Sequence, residues 1–258
     1  MHLFDLSGKV ALITGSSRGI GRAIATALAH AGAKVVISSR KQDACDRVAA
    51  ELCENLGAGT ALAIAANISS KEALQLLVGQ TIAAWGKIDV LVCNAASNPY
   101  YGPMAGINDE QFKKILENNV LAPHWLIQMV APQMIARKDG AIIVVSSIGS
   151  MVGSAEIGAY NLSKAADLQM VRNLAIEFGR HNIRVNAISP GIIRTDFAKA
   201  LWEDPAAEAA VSQATALGRI GEPIEIAGAA VYLAAAAGRY MTGQSIIVDG
   251  GMTIKGGL

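Results

Sequence analysis

"TGSSRGIGRAIA", Thr14 to Ala25, decides the fold. The apolar run "VALI" from Val10 leads into it, and Ile20, Ile24, Ala27, Leu28 and Ala31 fall on one stripe at helical spacing beyond its start. A strand, a glycine-rich turn and a helix therefore follow in order. The glycines are Gly15, Gly19 and Gly21, spaced G-x-x-x-G-x-G. In such a turn the first glycine permits the tight bend and the second lets backbone approach a pyrophosphate. The third lets the helix pack closely on the sheet. The unpaired N–H groups and positive dipole end of the helix suit phosphate. Ser17, Arg18 and Ile20 complete the candidate cradle. No Gly-Lys-Ser/Thr follows, which argues against a nucleoside triphosphatase loop.

The same alternation runs on. Short apolar runs recur as "VVI" from Val35, "ALAI" from Ala61, "VLVC" from Val90, "AIIVV" from Ala141, "RVNAI" from Arg184 and "SIIV" from Ser245. Most are apolar on both faces, the signature of parallel strands covered by helices on two sides. Gly32 is placed to end the first helix as a left-handed cap. Ser69 and Glu72 read as a capping box, and Pro223 as a first helical residue. No linker, repeat or low-complexity break interrupts the pattern. The expected architecture is a single doubly wound α/β domain of the Rossmann type over 1–258, with about seven parallel strands flanked by helices.

Composition narrows the function. The net charge is +1 with no basic run, which argues against a nucleic-acid footprint. No apolar run reaches the ~18 residues of a membrane helix. The first ten residues carry no secretory leader pattern, and the C-terminal residues differ from the peroxisomal tripeptide. Cys45, Cys53 and Cys93 have no C-x-x-C spacing and read as reduced thiols, so a cytoplasmic setting is expected. His2, His30, His124 and His181 do not cluster, so no metal is expected.

The second strand ends in "VVISSRK". NAD enzymes of this architecture carry Asp or Glu there for the ribose 2′-hydroxyl. Here Ser38 and Ser39 precede Arg40 and Lys41. Arg40 can fork onto a 2′-phosphate while Arg18 approaches from the phosphate loop. NADP is therefore favoured over NAD, against the alternative that both arginines are solvated surface residues.

Strands four, five and six end on the same sheet edge as the phosphate loop, where ligands bind. They deliver Asn94 and Ala95, then Ser146 and Ser147, then "SPGIIRT" from Ser189. Asn118 and Asn119 lie amid apolar residues and, if buried, need partners. "YNLSK" puts Tyr160 and Lys164 one helical turn apart, on one face.

With "TGSSRGIG", "NAA" from Asn94, Asn119, Ser147, Tyr160-x-x-x-Lys164 and Pro190-Gly191 in order, the chain resembles the short-chain dehydrogenase/reductase family. The resemblance covers nearly the whole chain, and Ser147 precedes Tyr160 by the family's usual 13 residues. Finer stretches, including "NAASNPYYGPM" and "YMTGQSIIVDGG", resemble its NADP-dependent carbonyl reductase and retinol dehydrogenase-reductase branch and their bacterial relatives. The resemblance implies roles. Tyr160 would be the acid or base at the carbinol oxygen, and Lys164 would lower its pKa and hold the nicotinamide ribose. Ser147 would bond the substrate oxygen. Asn119, with Asn118 as second choice, would hold a water linking Lys164 to solvent. Pro190, Gly191, Ile193 and Thr195 would hold the carboxamide end of the nicotinamide. Asn67 and Ile68 would meet the adenine, although the family usually has Asp at the first of these. Ala96 stands where the family often has glycine, so ordinary φ and ψ are expected there.

The segment "TDFAKALWEDPAAEAAVSQATALGR", Thr195 to Arg219, reads as two short helices broken at Pro205 and as a substrate lid. Phe197, Leu201, Trp202, Tyr101 and Ala96 are its candidate pocket walls, or ordinary lid packing. An apolar ketone or aldehyde fits such a lining. The last strand leaves a sheet edge that needs cover, and the family commonly covers it as a homotetramer. Two other readings stay open: a 3-oxoacyl-thioester reductase, and a non-catalytic NADP-binding regulatory protein.

Overall fold

The computed structural model describes residues 3–255. His2 and the C-terminal tripeptide lie outside this range, as do parts of the termini on which the leader and tripeptide readings rest.

The strands are β1 (Val10–Thr14), β2 (Lys34–Ser38), β3 (Ala61–Ala63), β4 (Val90–Cys93), β5 (Gly140–Val145), β6 (Ile183–Pro190) and β7 (Ser245–Val248). They form one parallel sheet in the order β3-β2-β1-β4-β5-β6-β7. All seven candidate runs are strands, and Ser245–Val248 is an edge. The order reverses between β1 and β4, and at such a switch the strand ends open a crevice. The helices are α1 (Gly19–His30), α2 (Gln42–Leu56), α3 (Lys71–Trp85), α4 (Asp109–Leu116), α5 (Ala122–Arg137), α6 (Gly158–Gly179), α7 (Pro205–Ala214) and α8 (Pro223–Ala234).

Two cores follow from the period-two alternation of the strands. Ala11, Ile13, Val35, Ile37, Val90, Val92 and Ile143 face α1, α2 and α8. Leu12, Val36, Leu91, Ile142, Val144 and Val185 face α3, α5 and α6. Central strands buried on both faces are why the runs read as continuous apolar stretches. Burying each of the valine, leucine and isoleucine side chains is worth about 1.5–3 kcal/mol.

Gly32 adopts φ +100° just past α1, as a left-handed cap requires. Pro223 opens α8, where the Glu225 side chain accepts from the Glu222 N–H at 2.8 Å. The capping reading at Ser69 is corrected by one residue. Ser70 is the cap of α3, its hydroxyl accepting from the Ala73 N–H at 3.1 Å. Ser69 instead donates to Asn118 Oδ1 at 2.8 Å. Between α4 and α5 the chain makes a π-helical turn, Glu117–Leu121, which buries Asn118 and Asn119. A wide turn of this kind re-aims side chains that a continuous α-helix would turn away.

Candidate active site

The phosphate loop is braced by the side chains of Thr14, Ser16 and Asn94. Gly15 has φ +67°, and a Cβ there would lie 2.8 Å from Asn94 Nδ2. Asn94 donates from that nitrogen to the carbonyls of Thr14 (2.9 Å) and Gly15 (3.2 Å). Thr14 Oγ1 accepts from the N–H groups of Asn94 and Ala95 at 3.1 and 3.2 Å. Ser16 Oγ donates to the Ile13 carbonyl at 2.7 Å and accepts from Ser38 N–H at 2.8 Å. At Gly21 a Cβ would stand 2.3 Å from the Gly15 carbonyl oxygen. The third glycine therefore lets the helix start pack against the turn itself, a closer constraint than the sheet contact expected. A Cβ at Gly19 would lie 3.2 Å from the Thr195 methyl, so the segment after β6 reaches the loop. Ser17 and Ile20 are half-buried at the same turn.

At the end of β2 no carboxylate stands between Ser38 and Lys41. Ser39 Oγ lies 3.2 Å from Cys45 Sγ. Arg40 is exposed and, among the described residues, has neither hydrogen bond nor ion pair. Arg18 is exposed too, but its guanidinium is bonded to Asp196 at 2.8 Å. Asn67 is exposed, its Oδ1 accepting from Ser69 N–H at 3.2 Å, and Ile68 packs half-buried beside it. Pro190 ends β6, and the Gly191 N–H donates to the Val248 carbonyl at 2.9 Å. The Ile193 side chain is core, so only its backbone can meet a ligand. The glycine turn, its side-chain bracing and the exposed Arg40 guanidinium together fit a dinucleotide.

Tyr160 and Lys164 leave the first turns of α6 on one face, with the Lys164 ammonium 5.8 Å from the Tyr160 ring centre. Two neighbouring serines fix the frame. Ser163 donates to the Tyr160 carbonyl at 2.7 Å, and Ser146 donates to the Lys164 carbonyl at 2.9 Å. Ser147 Oγ accepts from the Gly149 N–H at 3.0 Å, which aims it from the end of β5. Asn119 is spent on structure: Oδ1 accepts from Ser97 N–H at 2.8 Å, and Nδ2 donates to Ser97 O and Ser163 Oγ, both at 3.0 Å. Asn118 Nδ2 donates to Ser97 Oγ at 2.8 Å. The two asparagines clamp the loop after β4, and no side-chain bond joins either to Lys164. Any relay through Asn119 must use its backbone.

Burial pushes the Tyr160 phenol above its ordinary pKa; Lys164 pulls it down, Asp167 pushes it up, and Ser147 pulls it down. The lowering by Lys164 has the expected sign, but burial outweighs it. For Lys164, burial lowers the pKa, yet the carboxylate of Asp167, helped by Tyr160, lifts it above the ordinary value. Asp167 is a site residue missed in the sequence. The signal was present, because Asp167 is three residues from Lys164 and hence on the same helix face. Thr14 and Ser16 were also missed, and Ser146 was placed at this edge without its bond to the Lys164 carbonyl, since their partners are distant in sequence or lie on the backbone.

The substrate side is more open. The Phe197 ring lies 5.9 Å from the Tyr160 ring, tilted by 41°. Trp202 turns elsewhere, its indole N–H donating to the Thr195 carbonyl at 2.9 Å and its face under the Arg194 guanidinium at 5.3 Å. Leu201 and Ala96 are half-buried, and Ala96 has no positive φ. Tyr101 is exposed and donates to Glu156 at 2.5 Å, tying the loop after β4 to the segment before α6. The span from Thr195 to Arg219 holds a 3₁₀ turn, Asp196–Leu201, and then α7, which opens at Pro205. Among the described residues no group of three or more His, Cys, Asp or Glu side chains could hold a metal ion, and no helix is long and apolar enough to cross a membrane.

A doubly wound parallel sheet with a glycine phosphate turn at one side of the switch and a Tyr–Lys pair at the other defines a nicotinamide-dependent oxidoreductase. The chain belongs to the short-chain dehydrogenase/reductase family, whose enzymes act on small molecules. A family model described as enoyl-(acyl carrier protein) reductase matches residues 15–253. The chain is 42% identical to rabbit (Oryctolagus cuniculus) dehydrogenase/reductase SDR family member 4, over 95% of this chain and 94% of that one. Among solved structures it resembles a gluconate 5-dehydrogenase from Burkholderia cenocepacia in complex with NADP and tartrate (31% identity, TM-score 0.93, 98% of each chain). It also resembles a 3-oxoacyl (acyl-carrier-protein) reductase from Agrobacterium tumefaciens with NADP bound (33% identity, TM-score 0.90, 96% of each chain).

Proposed function

We propose that the protein is an NADPH-dependent carbonyl reductase, and in reverse an alcohol dehydrogenase, acting on apolar ketones or aldehydes. The observation that carries this reading is the Tyr160 phenol beside the Lys164 ammonium, with the apolar Phe197 ring facing it. Tyr160 gives its proton to the carbonyl oxygen as charge develops there, and Ser147 Oγ donates a hydrogen bond to the same oxygen. Lys164 holds the phenol in register and keeps one donor for the ribose side. A bound reduced nicotinamide supplies the hydride. Gly15, Gly19 and the start of α1 take the pyrophosphate, and Arg40, with Arg18 once released from Asp196, takes the 2′-phosphate. Asn94 and Ala95 act by bracing that loop, and Pro190 to Thr195 line the carboxamide end. Thr195 to Arg219 acts as the lid on this single domain, with Phe197 its pocket wall and Leu201, Ala96 and Tyr101 at the rim.

NADPH oxidation measured against aryl ketones, α-dicarbonyls, retinal and acetoacetyl thioesters tests the reading. Fast turnover of apolar ketones, abolished in Tyr160→Phe, is the expected result. Equal activity of that variant would instead favour the regulatory NADP-binding reading. The acyl-carrier-protein names carried by the matching family model and one solved relative favour a second reading, a 3-oxoacyl-thioester reductase. Preference for the thioesters in the same panel would select it. Free thiols at Cys45, Cys53 and Cys93 suit a reducing cytoplasm. The edge strand β7 with exposed Ile247, and exposed Ile176 and Tyr240, suit burial in a homotetramer, which sedimentation would measure.

A further inference from the structure

Beneath the Tyr–Lys pair lies a charge that the proposed reaction does not use. Asp167 is fully buried in α6, one turn past Lys164. Its Oδ2 accepts from the Lys164 ammonium at 3.0 Å. The same ammonium donates to the Val145 carbonyl at the end of β5, also at 3.0 Å. Asp167 Oδ1 is buried as well and has no hydrogen-bond partner among the described residues. An ammonium has three N–H donors. Two are tied down, so one remains for the cofactor side.

A buried carboxylate with half its acceptors unused is costly unless an opposite charge compensates it. Lys164 is that charge, and the need is mutual: among the described residues no other carboxylate bonds the buried ammonium. The titratable groups that act on this cluster are Lys164 and Tyr160 from α6 and Cys93 from β4, with the Ser147 hydroxyl above. Cys93 is held as the thiol, chiefly by burial and then by Asp167 itself, so it adds no competing anion.

We propose that Asp167 is a positioning residue for this site. It pins the Lys164 ammonium from below, leaves it one free donor, and offsets part of its positive charge at the phenol. Tyr160 then stays a proton donor to higher pH than a Tyr–Lys pair alone would allow, which suits carbonyl reduction. The proposal rests on the assignment of Tyr160 as the acid. Burial raises the Asp167 carboxyl and Lys164 holds the rise back, leaving it at about 6, so at neutral pH the carboxylate is the prevailing form.

The test is the pH profile of NADPH-dependent ketone reduction in Asp167→Asn and Asp167→Glu. Removing the carboxylate lets Lys164 lower the phenol further, or lets Lys164 itself lose its proton sooner in a buried setting. Both routes move the alkaline fall of the profile in one direction, toward acid. The expected shift in Asp167→Asn is about one pH unit or more, with Asp167→Glu restoring the wild-type limb. A profile that superimposes on wild type, with only a lower melting temperature, would reduce Asp167 to packing and overturn the proposal. Asp167→Ser, which keeps an acceptor without the charge, makes the same prediction should the Asn variant not fold. Ultraviolet difference titration of the phenol, with Tyr160→Phe as the blank, compares wild type with Asp167→Asn and Asp167→Ser. A lower phenol midpoint in either variant than in wild type is expected, and an unchanged midpoint overturns the proposal. That titration reads the phenol whether or not the enzyme reduces ketones, so failure of the functional reading would be seen separately.

Discussion

The two ends of the crevice are built on opposite plans. At the chemical end, Tyr160, Lys164, Ser147 and Asn119 sit in a frame of short bonds to backbone and buried side chains. At the far end, Arg40 is exposed and unpartnered among the described residues, and Arg18 is held only by an exposed carboxylate. The difference follows from what each end must do. A proton donor works only if it is already placed where charge develops, so its orientation is fixed before substrate arrives. A guanidinium that takes a phosphate gains little from rigidity, because a charged, bidentate bond orients itself. The chemical end therefore has a high cost of mutation, in activity at the phenol and in stability at the charged residues that frame it, and the arginine end a low cost confined to cofactor choice.

The largest effect is expected at the phenol. Tyr160→Phe removes the proton donor and should lower kcat for ketone reduction by about 10²–10⁴-fold. Among the described residues the phenol makes no hydrogen bond to the backbone, so the melting temperature should stay near wild type. Steady-state kinetics with thermal unfolding checks both; a marked loss of stability would mean that Tyr160 is structural.

Lys164→Ala breaks the comparison differently, through the fold. It strands the buried Asp167 carboxylate and should cost about 3–5 kcal/mol in urea unfolding. Lys164→Ala combined with Asp167→Ala should recover a substantial part of that loss, because no charge is then left unpaired. If the double variant were as unstable as the two single losses added, the residues would not be coupled.

Arg40→Asp probes the other end, where stability should hardly change, since the exposed side chain has no hydrogen bond or ion pair among the described residues. A carboxylate there repels a 2′-phosphate and can accept from a ribose hydroxyl. The ratio of kcat/KM for NADPH over NADH should fall by at least about tenfold, the equivalent of one charged hydrogen bond. An unchanged ratio would remove Arg40 from cofactor choice.

The sequence carried most of this scaffold and less of its wiring. Strands buried on both faces were legible because parallel packing writes itself as unbroken apolar runs, and the glycine turn because only glycine fits beside Asn94 and the Gly15 carbonyl. Asn94 was legible as a site residue, but its work of holding Thr14 and Gly15 was not, since the contact spans about eighty residues. Asn119 drew attention as a buried amide that needed partners; that its partners were Ser97 and Ser163 depended on the π-helical turn, which no residue pattern announces. At Ser69-Ser70 two adjacent hydroxyls offered the same cap, and a tertiary bond to Asn118 decided which one served. Trp202 stood at pocket-wall spacing, yet its indole N–H found the Thr195 carbonyl. In each case hydrogen bonds beyond the local helix or turn, not local preference, made the choice.

The smallest effect sharpens the contrast most, because it lies where the two ends meet the lid. Arg18 and Asp196 are bonded at 2.8 Å, but their side chains are 69% and 61% exposed. An exposed pair of this kind is worth about 0–1 kcal/mol. To take a 2′-phosphate Arg18 must leave Asp196 or share it, so Asp196 competes with the cofactor by at most that amount. Asp196→Asn should therefore tighten NADPH by no more than about fivefold in fluorescence titration, the equivalent of roughly 1 kcal/mol. NADH, which has no 2′-phosphate, should bind as before. The gain should shrink as salt is raised, because both partners lie in solvent and are screened. Equal tightening of NADH would place the effect in the lid rather than at the phosphate. Binding unchanged for both would mean that Arg18 stays with its own loop while Arg40 alone reads the cofactor.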